Sequence, residues 1–299
     1  MEPDLAQLAG KTVTITGSTG LIGTALLKSL AGVQAEIFTP THAHLSAGYG
    51  IPMSDVVIHA AGFGQPAVFM QNPIDTIQVN TEMTLRLLKN LKAGGSFLFC
   101  SSSEVYNGLD KLATEADIGT TTLAHPRACY IESKRCGEAI INGYRQLGVK
   151  AFSARIAPTY GPGTRRHDTK AMSQFIESAL LDKKIVLKDS GKAVRTYGYV
   201  DDVIEMLWNI VLNGTQPVYN VGGHAVVSIA GLARMIAKME DVEVVIPADT
   251  PDSIGGSPIV MLDLSRYERE FGKPQYVCLR EGLRETIEYQ RKLYAEHAS

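Results

Sequence analysis

The chain has 299 residues, of which 45% are hydrophobic and 20% charged, and its formal net charge is −2. This is the composition of a globular protein with a sizeable core, and it excludes a disordered chain or a strongly basic nucleic-acid surface. No apolar run approaches the roughly 18 residues of a membrane helix, and Met1–Gly10 lacks the pattern of a signal peptide. The four cysteines, Cys100, Cys129, Cys136 and Cys278, show no metal-ligand spacing. Reduced thiols, no metal and a cytoplasmic protein without membrane or nucleic-acid partners are therefore expected.

Taken in order, Lys11–Gly17 is a β-branched run ending in glycine, so a buried strand. Leu21–Leu30 reads as a helix, Gln34–Phe38 and Asp55–His59 as strands, and Pro73–Leu91 as one helix containing Asn80. Ser96–Cys100 is a buried strand, followed by Ser101, Ser102, Ser103 and Glu104; Cys129–Leu147 is a helix and Ala151–Ile156 a strand. Strands alternating with helices predict an α/β fold, a doubly wound parallel sheet covered on both faces. The second half is less regular. Helices are expected over Lys170–Leu181, Val203–Leu212, Ile229–Lys238 and Glu281–Tyr294, and strands over Val218–Val221 and Val242–Ile246. That half is too broken for a second doubly wound domain and reads as a cap at the carboxyl ends of the strands, where such sheets bind ligands. The expected division is a dinucleotide-binding domain over residues 10–156. The rest, 157–299, is mostly a smaller substrate-binding cap interleaved with the last sheet elements.

Two motifs carry chemistry. The first is Gly17-Ser18-Thr19-Gly20-Leu21-Ile22-Gly23, between a strand and a helix. Its glycines admit a pyrophosphate close to the backbone, and the helix N-terminus supplies free N–H groups, which puts Gly17, Thr19, Gly20, Leu21, Ile22 and Gly23 in the cofactor site. The usual carboxylate at the end of the second strand is missing; Thr39, Thr41 and His42 are the alternatives for the adenosine ribose. No Lys or Arg lies between Lys28 and Arg86, which favours NAD over NADP. The second motif is Tyr130-Ile131-Glu132-Ser133-Lys134, with Tyr and Lys on one helical face. A lysine ammonium there is expected to lower the phenol pKa, letting Tyr130 take a proton from a hydroxyl.

At this point the chain resembles the extended short-chain dehydrogenase/reductases, and among them the NAD-dependent sugar-nucleotide epimerases, dehydratases and decarboxylases. The segments that carry the resemblance include Asn72-Pro73-Ile74, Asn80-Thr81, Ser102-Ser103-Glu104-Val105-Tyr106, Pro126-Arg127-Ala128-Cys129-Tyr130, Lys134-Arg135, Tyr160-Gly161-Pro162, Arg195-Thr196-Tyr197 and Tyr199-Val200-Asp201-Asp202. The branch most similar is the UDP-glucuronate decarboxylases.

The resemblance implies a Rossmann-like sheet, NAD recycled within each turnover, a nucleotide-sugar substrate and a homodimer. It adds Ala60, Ala61, Gly62 and Asn80 to the cofactor site. It places Ser102 on the sugar hydroxyl beside Tyr130, Ser103 and Glu104 near C5, and Arg195 on the substrate's diphosphate or carboxylate. Pro158 stands in the substrate site where the family usually has asparagine, and it has no donor. No base lies between Lys238 and Arg266 to hold a diphosphate; Arg165, Arg166 and His167 are candidates to compensate, or else a solvated turn. The dehydratases carry aspartate where Ser103 stands, and a serine lacks the acidity to expel a hydroxyl, so the triplet leans towards decarboxylation. The alternatives are a 4-epimerase or 4-oxidoreductase, then a 4,6-dehydratase, and outside enzymes an NAD-binding sensor.

Overall fold

A computed structural model describes residues 2–41, 44, 50–248, 257–273 and 275–296. Strand β1, Thr12–Thr16, buries all five side chains. β-branched residues suit such a strand, whose two faces are both covered. Helix α1 is Leu21–Ser29, β2 is Glu36–Phe38 and β3 is Ser54–His59. All four lie where the pattern put them, within the usual uncertainty of element ends.

Three helices follow: α2 (Pro66–Gln71), α3 (Pro73–Asn80) and α4 (Glu82–Lys89). The single helix expected over Pro73–Leu91 is therefore two. They part at Thr81, where φ is −116° and ψ −70°. The hydroxyls of Thr76, Thr81 and Thr84 donate to the carbonyls of Asn72, Ile77 and Asn80, four residues back. Such back-bonding competes with the helical ladder and bends it. Strand β4 is also longer than the expected Ser96–Cys100, running over Leu91–Ser102. Its polar first half pairs Leu91 with Ser54 across a register shift, a long-range partner that local hydrophobicity does not reveal.

Next come β5 (Leu112–Ala113), α5 (Ala128–Gln146) and β6 (Lys150–Ile156). The second half opens with β7 (Thr159–Tyr160), α6 (Ala171–Leu181), β8 (Lys184–Val186), β9 (Val194–Tyr199) and α7 (Val200–Asn213). It continues with β10 (Val218–Val221), β11 (Ala225–Ser228), α8 (Ile229–Glu240) and β12 (Glu243–Val245). It closes with β13 (Ile259–Leu262), α9 (Ser265–Phe271) and α10 (Leu279–Ala295).

Six strands form one parallel sheet in the order β10-β6-β4-β3-β1-β2. The alternation along β4 shows why it is wound on both sides. Phe97 and Phe99 join Leu87, Leu88 and Ile141 in one apolar cluster, beneath α4 and α5. Leu98 and Cys100 join Leu26, Leu207 and Trp208 in the other, beneath α1 and α7. Each fully buried side chain of this size contributes about 1.5–3 kcal/mol. The chain leaves β1 towards β2 on one side and returns to β3 on the other, so the ligand-binding switch point lies between β1 and β3.

A second sheet, β11-β9-β13-β5, carries β7 against β9. Asn220 of β10 ties the two sheets together: its side-chain amide donates to the carbonyls of Ala113 at 2.9 Å and Asp263 at 3.0 Å. Among the described residues no helix is long and apolar enough to cross a membrane.

Candidate active site

The switch point is built by contact between two turns. Gly17 follows β1 with φ +70°, and a Cβ there would lie 2.5 Å from the carbonyl oxygen of Ala60, just after β3. A Cβ on Gly23 would meet the Gly17 carbonyl at 2.1 Å. Glycine at both positions is thus a packing demand that brings α1 close to the sheet. The first turn of α1 holds Leu21 and Ile22, has no acidic residue and receives no side-chain cap, so its N–H groups and dipole are left to an anion.

A buried relay holds the facing turn. The Ala61 N–H donates to Thr16 Oγ1 at 2.9 Å, Thr16 Oγ1 bonds His59 Nδ1 at 2.8 Å, and His59 Nε2 bonds the Val79 carbonyl at 2.8 Å. A carbonyl only accepts, so His59 donates from Nε2 and accepts at Nδ1. Burial keeps this imidazole neutral, with its pKa pushed down to about 4. Beside it Asn80 is fully buried. Its amide donates to Thr76 and to Ser133 Oγ, and its Oδ1 has no partner among the described residues. That oxygen lies 3.6 Å from where a Gly62 Cβ would be, and Lys134 Nζ lies 3.7 Å from the same point. An orphaned acceptor, a bare glycine face and an uncapped helix end together fit a dinucleotide. Thr39 follows β2 directly, and the nearest carboxylate in the chain, Glu36, stands at the other end of that strand and accepts from Thr12 Oγ1 at 3.2 Å. Thr41 is committed to His44, with its hydroxyl 2.9 Å from Nδ1, and His42 lies outside the described residues.

The second part of the site lies at the ends of β4 and β6, paired at Ser102 and Ile156. Ser102 Oγ accepts from the Glu104 N–H at 3.2 Å and starts a tight helical turn, Ser103–Tyr106. Tyr130 on α5 lies beside Ser102, whose hydroxyl favours the ionised phenol, and stacks on Phe69 of α2, with ring centroids 4.5 Å apart and 12° between planes. Lys134, one turn further on, donates to the Cys100 carbonyl at 2.7 Å, and its Nζ lies 5.7 Å from the Tyr130 ring centre. The expected lowering of the phenol pKa by Lys134 is not what this arrangement gives. Burial dominates and pushes Tyr130 up to about 12, with the Ser102 hydroxyl opposing it. Burial also brings Lys134 down to about 8.

Glu104 pairs with Arg127, Oε1 to Nη1 at 2.9 Å, both groups mostly buried. Its other oxygen accepts from Asn107 at 3.3 Å. Arg195 of β9 is held by three backbone carbonyls, Val194, Pro258 and Ser257. Burial lowers the pKa of Arg195, while the Glu104 charge opposes that and the Arg127 charge adds to it. Pro158 joins β6 to β7, and its carbonyl accepts from the Gly198 N–H at 3.1 Å. The structure therefore gathers Ser102, Ser103, Glu104, Tyr130 and Lys134 around the end of β4. Arg195 stands within electrostatic reach of Glu104, and Gly17–Gly23, Ala60–Gly62 and Asn80 meet at the switch point.

Residues 13–222 match the NAD dependent epimerase/dehydratase family. The chain belongs to that family. It is 29% identical over 298 residues to UDP-glucuronic acid decarboxylase 6 of Arabidopsis thaliana, covering 91% of this chain and 86% of that one. It is 32% identical over 243 residues to UDP-glucuronic acid decarboxylase 1 of Xenopus tropicalis, covering 80% of this chain and 57% of that longer protein. The UDP-glucuronic acid 4-epimerase of Bacillus cereus, solved with UDP-glucuronic acid and NAD, shares the fold. Its TM-score is 0.79 at 21% identity, covering 95% of this chain and 100% of that one. The expected Rossmann-like α/β architecture and the NAD-dependent enzyme class are thus those of the family, and NAD is its cofactor.

Three residues of this family member's site escaped the sequence reading. Phe69 sits on a short helix announced by Pro66 at its first position, a usable signal. His59, a histidine at the end of an apolar strand, marks a buried polar relay. Arg127 stood inside a quoted motif, but its pairing with Glu104 is a long-range contact that the spacing does not contain.

Proposed function

We propose that this family member is an NAD-dependent decarboxylase of a nucleotide-linked hexuronate, with UDP-glucuronate as the substrate. The observation that carries the reading is the charge arrangement at the end of β4. One carboxylate, Glu104, faces two guanidinium groups, Arg127 in contact and Arg195 within electrostatic reach. The excess positive charge in this half-buried setting suits an acidic sugar better than a neutral one. The names of the Arabidopsis and Xenopus relatives support the same substrate.

Bound NAD would supply a reversible hydride acceptor for the sugar C4, which would leave the net reaction redox-neutral. The protein's part is proton handling and orientation. Tyr130, steered by Ser102 and packed on Phe69, takes the C4 hydroxyl proton. Because its phenol is held high by burial, that transfer depends on the Lys134 ammonium one helical turn away. The resulting 4-ketone is a β-keto acid. Its C5–C6 bond breaks, carbon dioxide leaves, and the electron pair passes to the C4 carbonyl oxygen. A proton then returns to C5. Ser103 and Glu104 orient this end of the sugar, Arg195 binds its anionic groups, and Pro158 shapes the pocket wall without donating. The balance is one carbon dioxide released for one proton consumed.

On this reading residues 10–156 hold NAD and 157–299 hold the substrate, the latter lending α7 and β10 to the cofactor side. A homodimer is part of the proposal. Ile74 is 65% exposed and Ile77 39% exposed on α3. The neighbouring helix α5 exposes the small residues Cys136 and Ala139. Light scattering that shows a monomer at micromolar concentration contradicts it. A cytoplasmic setting accords with four cysteines in the free form. The function itself is tested by incubating protein and NAD with UDP-glucuronate and, separately, UDP-glucose. Mass spectrometry should show loss of carbon dioxide from the first and no such loss from the second. Inversion at C4 without loss of carbon dioxide makes the protein a 4-epimerase.

A further inference from the structure

The segment 161–170, between β7 and α6, spans the cofactor cleft from one rim to the other. On the near rim the guanidinium of Arg165 donates Nε and Nη2 to the carbonyl of Thr19, in the middle of the glycine loop, with Nε at 3.1 Å. Close by, a Cβ on Gly163 would lie 3.2 Å from Leu21 Cδ1 at the start of α1. On the far rim Thr169 Oγ1 donates to Gln65 Oε1 at 3.0 Å, just past the turn that follows β3. The segment crosses the switch point and is anchored on both sides of it.

Its own backbone is fastened so that this crossing is held. Thr164 is buried and donates to the Gly161 carbonyl at 2.9 Å. Asp168 is buried, accepts from the Lys170 N–H at 2.8 Å and pairs with the Lys170 ammonium at 2.8 Å. Between them His167 adopts φ +55°, an unfavourable conformation for a side-chain-bearing residue, and is held by Glu177 at 2.6 Å and the Tyr294 hydroxyl at 3.3 Å.

The charge balance gives the crossing a purpose. A dinucleotide brings two negative charges to the Gly17–Gly23 loop, which contains no basic residue. Arg165 is the cation that the fold brings onto that loop, and among the described residues nothing takes the Nη1 donors. A guanidinium beside a diphosphate is a strong pairing. The proposed chemistry returns the cofactor to its starting state in every cycle, so the enzyme gains nothing by releasing it.

We propose that residues 161–170 are a strap that retains NAD, with Arg165 as its diphosphate-facing cation and the Thr169–Gln65 bond as its second fastening. The proposal rests on the glycine loop being the NAD site. Stopped-flow fluorescence of NADH release from the full-length wild type, R165Q, R165K and T169V tests it. R165Q should release NADH at least about tenfold faster, since a charge-assisted bond is lost from the bound state alone. R165K should fall between, because a lysine keeps the charge without the fork. T169V should release NADH faster than the wild type by a smaller factor. Wild-type release should quicken with ionic strength more steeply than that of R165Q. Arg165 is exposed, and matching melting curves for wild type and R165Q confirm that the fold is intact. Equal release rates for wild type and R165Q overturn the strap, as does an R165Q variant whose sole defect is a raised KM for the nucleotide sugar. A wild type that binds no NADH overturns the cofactor-site reading itself, a result distinct from either.

Discussion

Strands β1 and β9 both bury most of their length, and both are paired along two edges, yet they arise differently. Thr12–Thr16 is a β-branched run whose local preference and burial agree, and its parallel partners follow from the alternation of strands and helices. Val194–Tyr199 reads Val-Arg-Thr-Tyr-Gly-Tyr, with no run of apolar residues to announce it. It is a strand because β11 pairs with it antiparallel and β13 parallel. In the cofactor half pattern and tertiary demand coincide; in the cap, pairing between distant segments decides. On the proposed division, the cofactor half fixes where chemistry happens, and the cap fixes what is presented to it.

The largest effect should come from the cofactor half. Tyr130→Phe removes one hydroxyl from a packed ring and should lower kcat roughly a thousandfold with the melting temperature unchanged. Activity within a few-fold of wild type excludes Tyr130 as the base. Next is the end of β4, where the two halves meet. Glu104→Gln should cut carbon dioxide release by about a hundredfold. Oxidation at C4, followed as transient reduced cofactor, should fall less than about tenfold. Equal loss of both steps makes Glu104 an element of structure held by Arg127.

Third, Gly17→Ala should cost about 3 kcal/mol in urea unfolding and weaken NADH binding. It puts a Cβ at φ +70° and against Ala60. A variant as stable as wild type shows that the two turns do not need their close approach.

The smallest expected effect is on stability and concerns pH. Burial holds Lys134 at about 8 in the folded protein against an ordinary 10.5. Between those values the unfolded chain binds more protons than the native state, so stability rises with pH across that window. The penalty is fully present below about 8. Lys134→Met should lack this rise, so its stability relative to wild type should decline from pH 8 to 10 in thermal melts. Parallel curves contradict the buried ammonium.

What was legible follows the range of each contact. The glycine loop and the Tyr130–Lys134 pair are local patterns, seven and five residues long, and helix geometry carries Lys134 to the side of Tyr130 without further information. The Ser102–Glu104 turn was legible because a buried strand has to end somewhere polar. The break at Thr81 was missed because apolar periodicity runs through it, while hydroxyl back-bonds decide it. The early start of β4 at Leu91 depends on Ser54, and the Arg127–Glu104 pair on the folding of a long loop onto the end of β4. The phenol of Tyr130 was misjudged because spacing shows a neighbouring lysine but not the depth of burial.

On the proposed function the site oxidises C4 transiently in order to release carbon dioxide from C5. Turnover of UDP-glucuronate deuterated at C4, followed by mass spectrometry and NMR of the product, tests it most directly. The expected product is a nucleotide pentose that keeps deuterium at C4, with no accumulation of reduced cofactor. Product that has lost the label, or a hexuronate inverted at C4 with its carboxylate intact, contradicts it.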